Sequence, residues 1–460
     1  MPMRLYNSLT KKVEDFTPQN PNEVLMYQCG PTVYDYITIG NFRTFALGDF
    51  LYRALVQNGY KVKYIMNLTD VGHLVSDNDE GADKLEAAAE RDGTSAREVA
   101  DFYIKDFYSG YDKLKLTRPN KFTRATEYIQ EQIDLVETLE RKGYTYLTTD
   151  GVYFDTSKYK NYGLLSGYTL ENIKEGARVE VNPEKKNPTD FALWKFSTPG
   201  VNRWQEWNSP WGRGFPGWHA ECSAMAMKEL GATLDIHLGG EDLKMVHHQN
   251  ELAQSECATG SEYVKYWVHG SFLLIDDGRM GKSLGNAYTV KDIEDKGFDP
   301  LSLRYLYMTA HYRSKLNFTW ESLQSAQNAL KKLYDIVSSY QESPEAHVNQ
   351  EYYARFRDAL NDDLNMPKAV SQVWELVKNN TISESVKIAT LLRFDEVLGF
   401  NLENHVGYEV PDEIKHLAKM RSEYRKSGIF DKADQLRRQI EKSGYIMEDI
   451  KEGGYKIKRK

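Results

Sequence analysis

Four side chains scattered along this chain could together hold a soft divalent metal: Cys29, Cys222, His247 and Glu251. Thiolate sulfur, imidazole nitrogen and carboxylate oxygen are donors that zinc takes, usually four at a time. His247 and Glu251 are four residues apart and project from one face if that stretch is helical. Taken singly, each has an ordinary reading. Cys222, between Glu221 and Ser223, fits a core position, His247 a satisfied polar site, and Glu251 an ion pair with a lysine. The chain has three cysteines, which excludes a disulfide framework and leaves Cys257 to packing.

Two other segments carry residue types that suit phosphate. Thr38-Ile-Gly-Asn41 stands between an apolar run and a helical pattern. Open α/β sheets bind ligands at such a place, with helix N-terminal amides facing phosphate. Gly40 lets backbone approach closely, and Thr38 and Asn41 could hydrogen-bond an oxygen; a tight turn with a capping Thr is the plain alternative. Arg279-Met-Gly-Lys-Ser-Leu-Gly-Asn286 sets two cations, two glycines and a Ser in a polar loop after a strand. Lys282 is a compact point charge suited to a departing pyrophosphate. Either segment alone reads as a turn or a basic loop; together they favour a nucleotide site.

Positioning these groups falls to a βαβ framework. Val24 to Gln28 reads as a buried strand broken by Gly30-Pro31, Arg43 to Asn58 as a helix ended by Gly59, and Lys61 to Asn67 as a second strand. Helical periodicity fills Asp83 to Lys142, and Tyr144 to Thr156 alternates like a hairpin turning at Asp150-Gly151. A stretch rich in Gly, Pro, Asn and aromatics follows, as an insertion would. Helix Gly217 to Leu230, strand Leu234 to Leu238, helix Leu243 to Ala258 and strand Tyr266 to Ile275 then resume the pattern. Past Pro300 nearly everything is helical, including Trp320 to Gln341 and Tyr352 to Asn379, which predicts a bundle. Asn401 to Val410 reads as a linker into a small last unit.

Composition bounds the class. At 460 residues, 41% hydrophobic and 27% charged, this is an ordinary globular protein of several domains. No apolar run approaches the roughly 20 residues that span a bilayer, and the N-terminus lacks a signal-peptide core, so a cytoplasmic protein without a membrane partner is expected. The net charge of −8 argues mildly against nucleic acid, although local patches such as Lys185-Lys186 and Lys456 to Lys460 matter more than the average. Each patch alone reads as solvated surface.

The two phosphate-suited segments resemble the signature motifs of class I aminoacyl-tRNA synthetases. The wider context resembles the cysteinyl-tRNA synthetase family: Cys29-Gly-Pro-Thr-Val-Tyr34, Asn187-Pro-Thr-Asp-Phe-Ala-Leu-Trp-Lys195, Gly217-Trp-His-Ala-Glu-Cys-Ser-Ala-Met225, Asp235-Ile-His-Leu-Gly-Gly240, His247-His-Gln-Asn-Glu251 and Asp362-Asp-Leu-Asn365. The match runs nearly end to end in a consistent order. Four positions depart from the family pattern. Thr38 replaces a His of the first signature, Arg279 and Gly281 replace Lys and Ser of the second, and Phe215 stands where Arg precedes Pro216. Charge at Arg279, a donor at Thr38 and Lys282 remain, which reads as tuning.

That resemblance implies an α/β fold with a Rossmann-like parallel-sheet catalytic domain, split as 1–120 and 216–300 around a connective insertion at 121–215. A helical bundle at 301–400 and an anticodon-binding unit at 401–460 would follow. It implies ATP-dependent activation of L-cysteine and transfer to tRNA(Cys) by a monomer, with one Zn2+ per chain and Mg2+ accompanying ATP. Thr38, Asn41, Arg279 and Lys282 would act in catalysis. ATP contacts would come from Gly40, Thr38, Asn41, His237, Gly239, Asp242 and Lys282. Cysteine would meet Trp218 and Thr69, with Asp70 either sharing the ammonium or capping a helix. The four metal donors match the family's zinc ligands one by one.

The metal's implied purpose is selectivity. Serine differs from cysteine by oxygen for sulfur, and zinc binds thiolate well while an alcohol stays protonated. Discrimination of about 10⁴ or more corresponds to roughly 5–6 kcal/mol. Arg425, Phe430, Asp434 and Asp449 fall at the family's anticodon contacts, with Phe where the family has Trp; an aromatic, an Arg and two carboxylates suit single-stranded RNA. Two rivals remain open at this level: a related ligase that passes cysteine to an aminosugar, which lacks the anticodon-binding end, and a non-catalytic paralogue, favoured by Thr38 and Gly281.

Overall fold

In the computed structural model, residues 1–72, 84–167, 182–197, 205–281, 284–340, 346–407, 410–450 and 454–459 are described. An N-terminal hairpin, β1 (Arg4–Asn7) and β2 (Lys12–Asp15), leads to β3 (Glu23–Gln28), α1 (Ile39–Gln57), β4 (Lys61–Leu68), α2 (Lys84–Asp92), α3 (Ala96–Lys113) and β5 (Lys121–Arg124). Next come α4 (Ile129–Arg141) and the strands β6 (Thr145–Thr148), β7 (Gly151–Phe154), β8 (Phe191–Phe196), β9 (Trp207–Ser209) and β10 (Gly212–Pro216). The core resumes with α5 (Trp218–Leu230), β11 (Leu234–Gly240), α6 (His247–Thr259), β12 (Val264–Gly270), β13 (Leu273–Ile275) and β14 (Gly278–Arg279).

Val24, Met26, Tyr27 and Gln28 have no exposed surface, so β3 is covered on both faces, as a central parallel strand must be. The sheet order is β12-β11-β3-β4-β5, every pair parallel. From β3 the chain builds outward to β4 and β5, then returns some 200 residues later to place β11 on the other side. The crevice between β3 and β11 is therefore the switch point, open at the strands' carboxyl ends. The excursion between the halves carries a separate antiparallel sheet in the order β6-β7-β8-β10-β9.

The helical region holds α7 (Val290–Asp295), α8 (Pro300–Met308), the short strand β15 (Leu316–Phe318), α9 (Trp320–Val337), α10 (Gln350–Asn361), α11 (Met366–Lys378) and α12 (Glu384–Leu398). A last unit pairs α13 (Asp412–Lys426) and α14 (Phe430–Lys442) with the hairpin β16 (Tyr445–Asp449) and β17 (Tyr455–Arg459). Among the described residues no helix is long and apolar enough to cross a membrane.

Four expectations are corrected. Thr38 caps α1, so that helix begins at Ile39 and not at Arg43. The helical stretch from Asp83 breaks after Lys113; Asn120 then donates to the Tyr64 carbonyl and β5 joins β4, so the parallel sheet reaches Arg124, past the 120 boundary. Strand Tyr266 to Ile275 is two strands with a turn at Ser271-Phe272. Helix Tyr352 to Asn379 is two helices, because Asp363 and Leu364 take left-handed φ of 55° and 51° and Pro367 lies in the first turn of α11.

A buried ion pair joins the helical region to the catalytic half. Asp49 on α1 and Arg304 on α8 are both fully buried, with Nη2 and Oδ2 2.6 Å apart. The same guanidinium donates to the Leu114, Lys115 and Val397 carbonyls and, from Nε, to that of Leu398. Asp49 also accepts from Arg53 and from the Thr117 amide.

Candidate metal and nucleotide site

Cys29 follows β3 and fixes its own backbone by donating to the Leu238 carbonyl of β11 at 2.9 Å. Across the switch point, α5 brings Cys222 and the first turn of α6 brings His247 and Glu251. All four are buried. Cys29 Sγ lies 3.9 Å from Cys222 Sγ and 3.8 Å from Glu251 Oε1, which is 3.0 Å from His247 Nε2. Zinc bonds of about 2.0–2.3 Å in a tetrahedron put neighbouring donors about 3.3–3.8 Å apart. The donor set and its spacing therefore fit zinc.

The protonation pattern already leans toward a cation site. A hydrogen bond with Cys29, with help from His247, lowers the Cys222 thiol to about 7 against its burial. Burial and the neighbouring Cys222 push Cys29 well up. Burial disfavours charge on His247, but Glu251 and Cys222 outweigh it and raise the imidazole to about 10. Glu251, buried yet facing His237 and His247, is held below the usual carboxylate range.

Beneath the four donors lies a layer of imidazoles that sequence reasoning missed except for His237. His219 Nδ1 is 3.1 Å from His247 Nδ1, leaving His247 Nε2 for the metal side. His237 Nε2 meets Glu251 Oε2 at 3.0 Å, so the structure places His237 on the metal cluster and fully buried, away from the cavity wall expected of an ATP contact. His248 Nε2 lies 3.3 Å from Cys29 Sγ, and its Nδ1 continues to His269 and then Ser8 at 2.8 Å each. Cys29, His237, His248 and Glu251 form a second quartet with metal-compatible spacing. It meets the cavity at Cys29 alone, because His237, His248 and Glu251 do not line it, whereas the first quartet meets it at Cys29, Cys222 and His247.

That cavity measures about 170 Å³ and is also lined by Gly30, Asn41, Thr69, Trp218, Gly240 and Asp242. It is well below the roughly 300–1,000 Å³ of pockets for drug-sized ligands, a size for a small side chain. Trp218 opens α5 and its ring centroid lies 4.4 Å from that of His247. Thr69 Oγ1 accepts from Asn67, and its backbone pairs with Pro31 and Val33. Asp70 has no part in the cavity: it accepts from Arg124 Nε and from the Thr126 amide and hydroxyl, and so caps the turn that opens α4. Gly239 is needed for packing, since a Cβ there would stand 2.6 Å from His248 Cε1.

At the rim, Thr38 and Asn41 form a reciprocal cap: Thr38 Oγ1 donates to Asn41 Oδ1 at 2.7 Å and the Asn41 amide donates back at 3.3 Å. The second signature segment lies against the first. A Cβ on Gly40 would meet Met280 Sδ and Cε at 3.3 Å, and the Ile39 amide donates to the Tyr288 carbonyl at 2.8 Å. Asn286 closes the loop's neck, accepting from the Gly281 amide and donating to the Arg279 carbonyl. Arg279 is exposed beside this neck; Lys282 and Ser283 lie outside the described residues.

The proposed anticodon residues gather in the last unit. Arg425 pairs with Asp449, which Arg421, almost fully buried, also grips with both terminal nitrogens. Phe430 is 60% exposed at the start of α14, and Asp434 is exposed one turn later.

The family described as tRNA synthetases class I (C) catalytic domain matches residues 15–328, and the DALR domain matches 355–403. The chain is 45% identical to a protein named cysteine--tRNA ligase 1 from Burkholderia lata, over 98% of this chain and 96% of that one. It is 39% identical to the cysteine--tRNA ligase of Treponema denticola, over 98% of each. Its fold is similar to that of Mycobacterium tuberculosis methionyl-tRNA synthetase solved with methionyl-adenylate, at TM-score 0.55 and 14% identity, covering 86% of this chain and 94% of that one. With a catalytic-domain match over most of its length and near-complete overlap with these relatives, the chain belongs to the class I (C) tRNA synthetase family.

Proposed function

We propose that this protein is a cysteine--tRNA ligase that activates L-cysteine with Mg-ATP and transfers it to tRNA(Cys), and that it works as a cytoplasmic monomer. The observation that carries the reading is the convergence of Cys29, Cys222, His247 and Glu251, the first three of which line a small cavity that Asn41 also lines. Bound there, zinc would supply a soft Lewis acid that ligates a thiolate and passes over an alcohol.

The chain's own residues then do the positioning. Trp218 walls the side-chain end of the cavity, and Thr69 presents its hydroxyl near the amino acid's ammonium. Gly40, at the start of α1, lets phosphate approach the helix N-terminal amides. Asn41 keeps its amide nitrogen for phosphate while its oxygen completes the cap. Gly240 and Asp242 lie on the ribose side. Arg279 and Lys282 neutralise the departing pyrophosphate, so that charge stabilisation and alignment carry the rate. Phe430 and Arg425 offer stacking and edge contacts to the anticodon, with Asp434 and Asp449 as acceptors.

Cysteine-dependent ATP–pyrophosphate exchange, run with serine as control on metal-replete and metal-stripped protein, tests this. The expected result is exchange with cysteine alone, lost on stripping and restored by zinc. Equal exchange with serine, or full activity without metal, would overturn it.

A further inference from the structure

Arg43 lies one turn into α1, two residues past Asn41, and is almost fully buried. Among the described residues no carboxylate hydrogen-bonds it. Its Nη1 donates to the Ser271 and Phe272 carbonyls at 2.7 and 2.6 Å, and its Nη2 to those of Ser314 and His311 at 2.6 and 3.4 Å. Burial lowers it to about 10, so it still carries its charge at neutral pH. Four carbonyls on one guanidinium is a geometry a lysine cannot copy, since an ammonium has three donors and no planar fork.

The carbonyls it gathers have a common place. Ser271-Phe272 is the turn at which the chain leaves β12 and enters β13 and β14, the strands that lead into Arg279 and Met280. Ser314 precedes β15, which pairs with β13 from the other side. Glu241 holds the same turn from across the sheet, accepting from Ser271 Oγ at 2.8 Å and from the Phe272 amide at 3.0 Å. The far end of the loop is fastened to the first turn of α1 as well, through Ile39 to Tyr288 and the Thr38–Thr289 bridge.

We infer that Arg43 is a positioning residue for the phosphate-handling loop, locking the root of the segment that carries Arg279 and Met280 to the helix that begins beneath Gly40. The inference rests on the reading of residues 279–286 as that loop. With root and exit both fixed to α1, Arg279 is set by the same helix that presents its N-terminus to the phosphates. A shift of the root moves the cations relative to the phosphates without touching the metal donors or Trp218, which sit on other elements. The defect belongs in the chemical step and not in cysteine binding.

The test is Arg43→Lys and Arg43→Gln in the full-length, zinc-loaded protein, read by kcat and KM of cysteine-dependent pyrophosphate exchange, zinc content and thermal unfolding. Expected for Arg43→Lys is a kcat loss of about 10–100-fold, the scale of an ångström of misplacement. The KM for cysteine and the zinc content should stay within about twofold of wild type, as an interaction confined to the transition state requires. Glu241→Ala, which removes the acceptor of both bonds and so loosens the same turn, should lower kcat in the same direction, and the double variant should lose less than the product of the two. Wild-type kcat in folded Arg43 variants would overturn the inference, as would parallel loss of melting temperature, zinc and cysteine affinity. Should the Arg43 variants fail to fold, Glu241→Ala decides: unchanged kcat overturns, reduced kcat at unchanged melting temperature supports. Absence of exchange in the wild type would overturn the functional reading itself, and is seen before any variant is made.

Discussion

Glu251 uses its two oxygens on different neighbours: Oε1 faces His247 and Cys29, while Oε2 faces His237 and the Tyr263 hydroxyl. Its donor to a metal is thereby held in place by groups that are not themselves at the cavity, the arrangement that orients ligands in protein metal sites. Replacing Cys222 by Ser or His247 by Ala is expected to cost the metal and cysteine affinity together while ATP still binds; elemental analysis and calorimetric titration of each ligand check this. Gly239→Ala is a subtler probe, because its Cβ would strike the His248 ring. A loss of about 1–3 kcal/mol in unfolding free energy is expected from such overpacking, with weaker zinc retention under chelator challenge. The four donors were legible from residue type and from His247 and Glu251 sharing a helix face. The deeper imidazoles were not. Strand register sets His269 beside Gly239 and so gives His248 its room, and no local pattern announces a contact of that kind.

Elements were readable where periodicity and punctuation agreed. Val24 to Gln28 came from an apolar run broken at Gly30-Pro31, and the end of α1 at Asn58 from Gly59. Tyr352 to Asn379 misled because its periodicity continues across Asp363 and Leu364, whose left-handed backbone is held by tertiary bonds: Asp363 accepts from the Tyr6 amide, the Tyr312 hydroxyl and Arg313. The pair Asp49–Arg304 fastens α1 to α8 by the same kind of long-range contact. Arg304→Met leaves Asp49 buried beside Arg53 alone and is expected to cost about 3–5 kcal/mol, measured by urea unfolding. Burial raises the Asp49 carboxyl, but Arg304 and Arg53 outweigh it and hold it below its ordinary value. Its contribution is therefore present above the unfolded Asp value of about 3.9 and disappears as pH falls through the lower folded one. Wild type should lose more stability than Asp49→Asn as pH drops below about 4.

At the scale of the whole molecule, the proposed reading sets amino-acid activation and RNA reading at opposite ends of the sequence. Phe430, exposed at the turn into α14, can be altered without touching the cavity. Phe430→Ala is expected to lower kcat/KM for tRNA charging by about 5–150-fold, the equivalent of one lost base stack, and to leave pyrophosphate exchange unchanged; the two assays run side by side check it. The split sheet was foreseen from the interrupted βαβ pattern; the expectation of an RNA end came from the resemblance alone, since by composition that stretch is a charged helical hairpin.

Cys29 meets Cys222 and Glu251 across 193 and 222 residues of chain. At about 5–20 residues per second, a ribosome delivers the last donor roughly 10–45 s after the first. During that interval the lone thiol is open to oxidants and to stray copper, and zinc has nothing complete to bind. On the proposed reading metallation is thus a late act of biosynthesis, and a nascent chain stalled before codon 251 emerges as apoprotein however much zinc the cell holds.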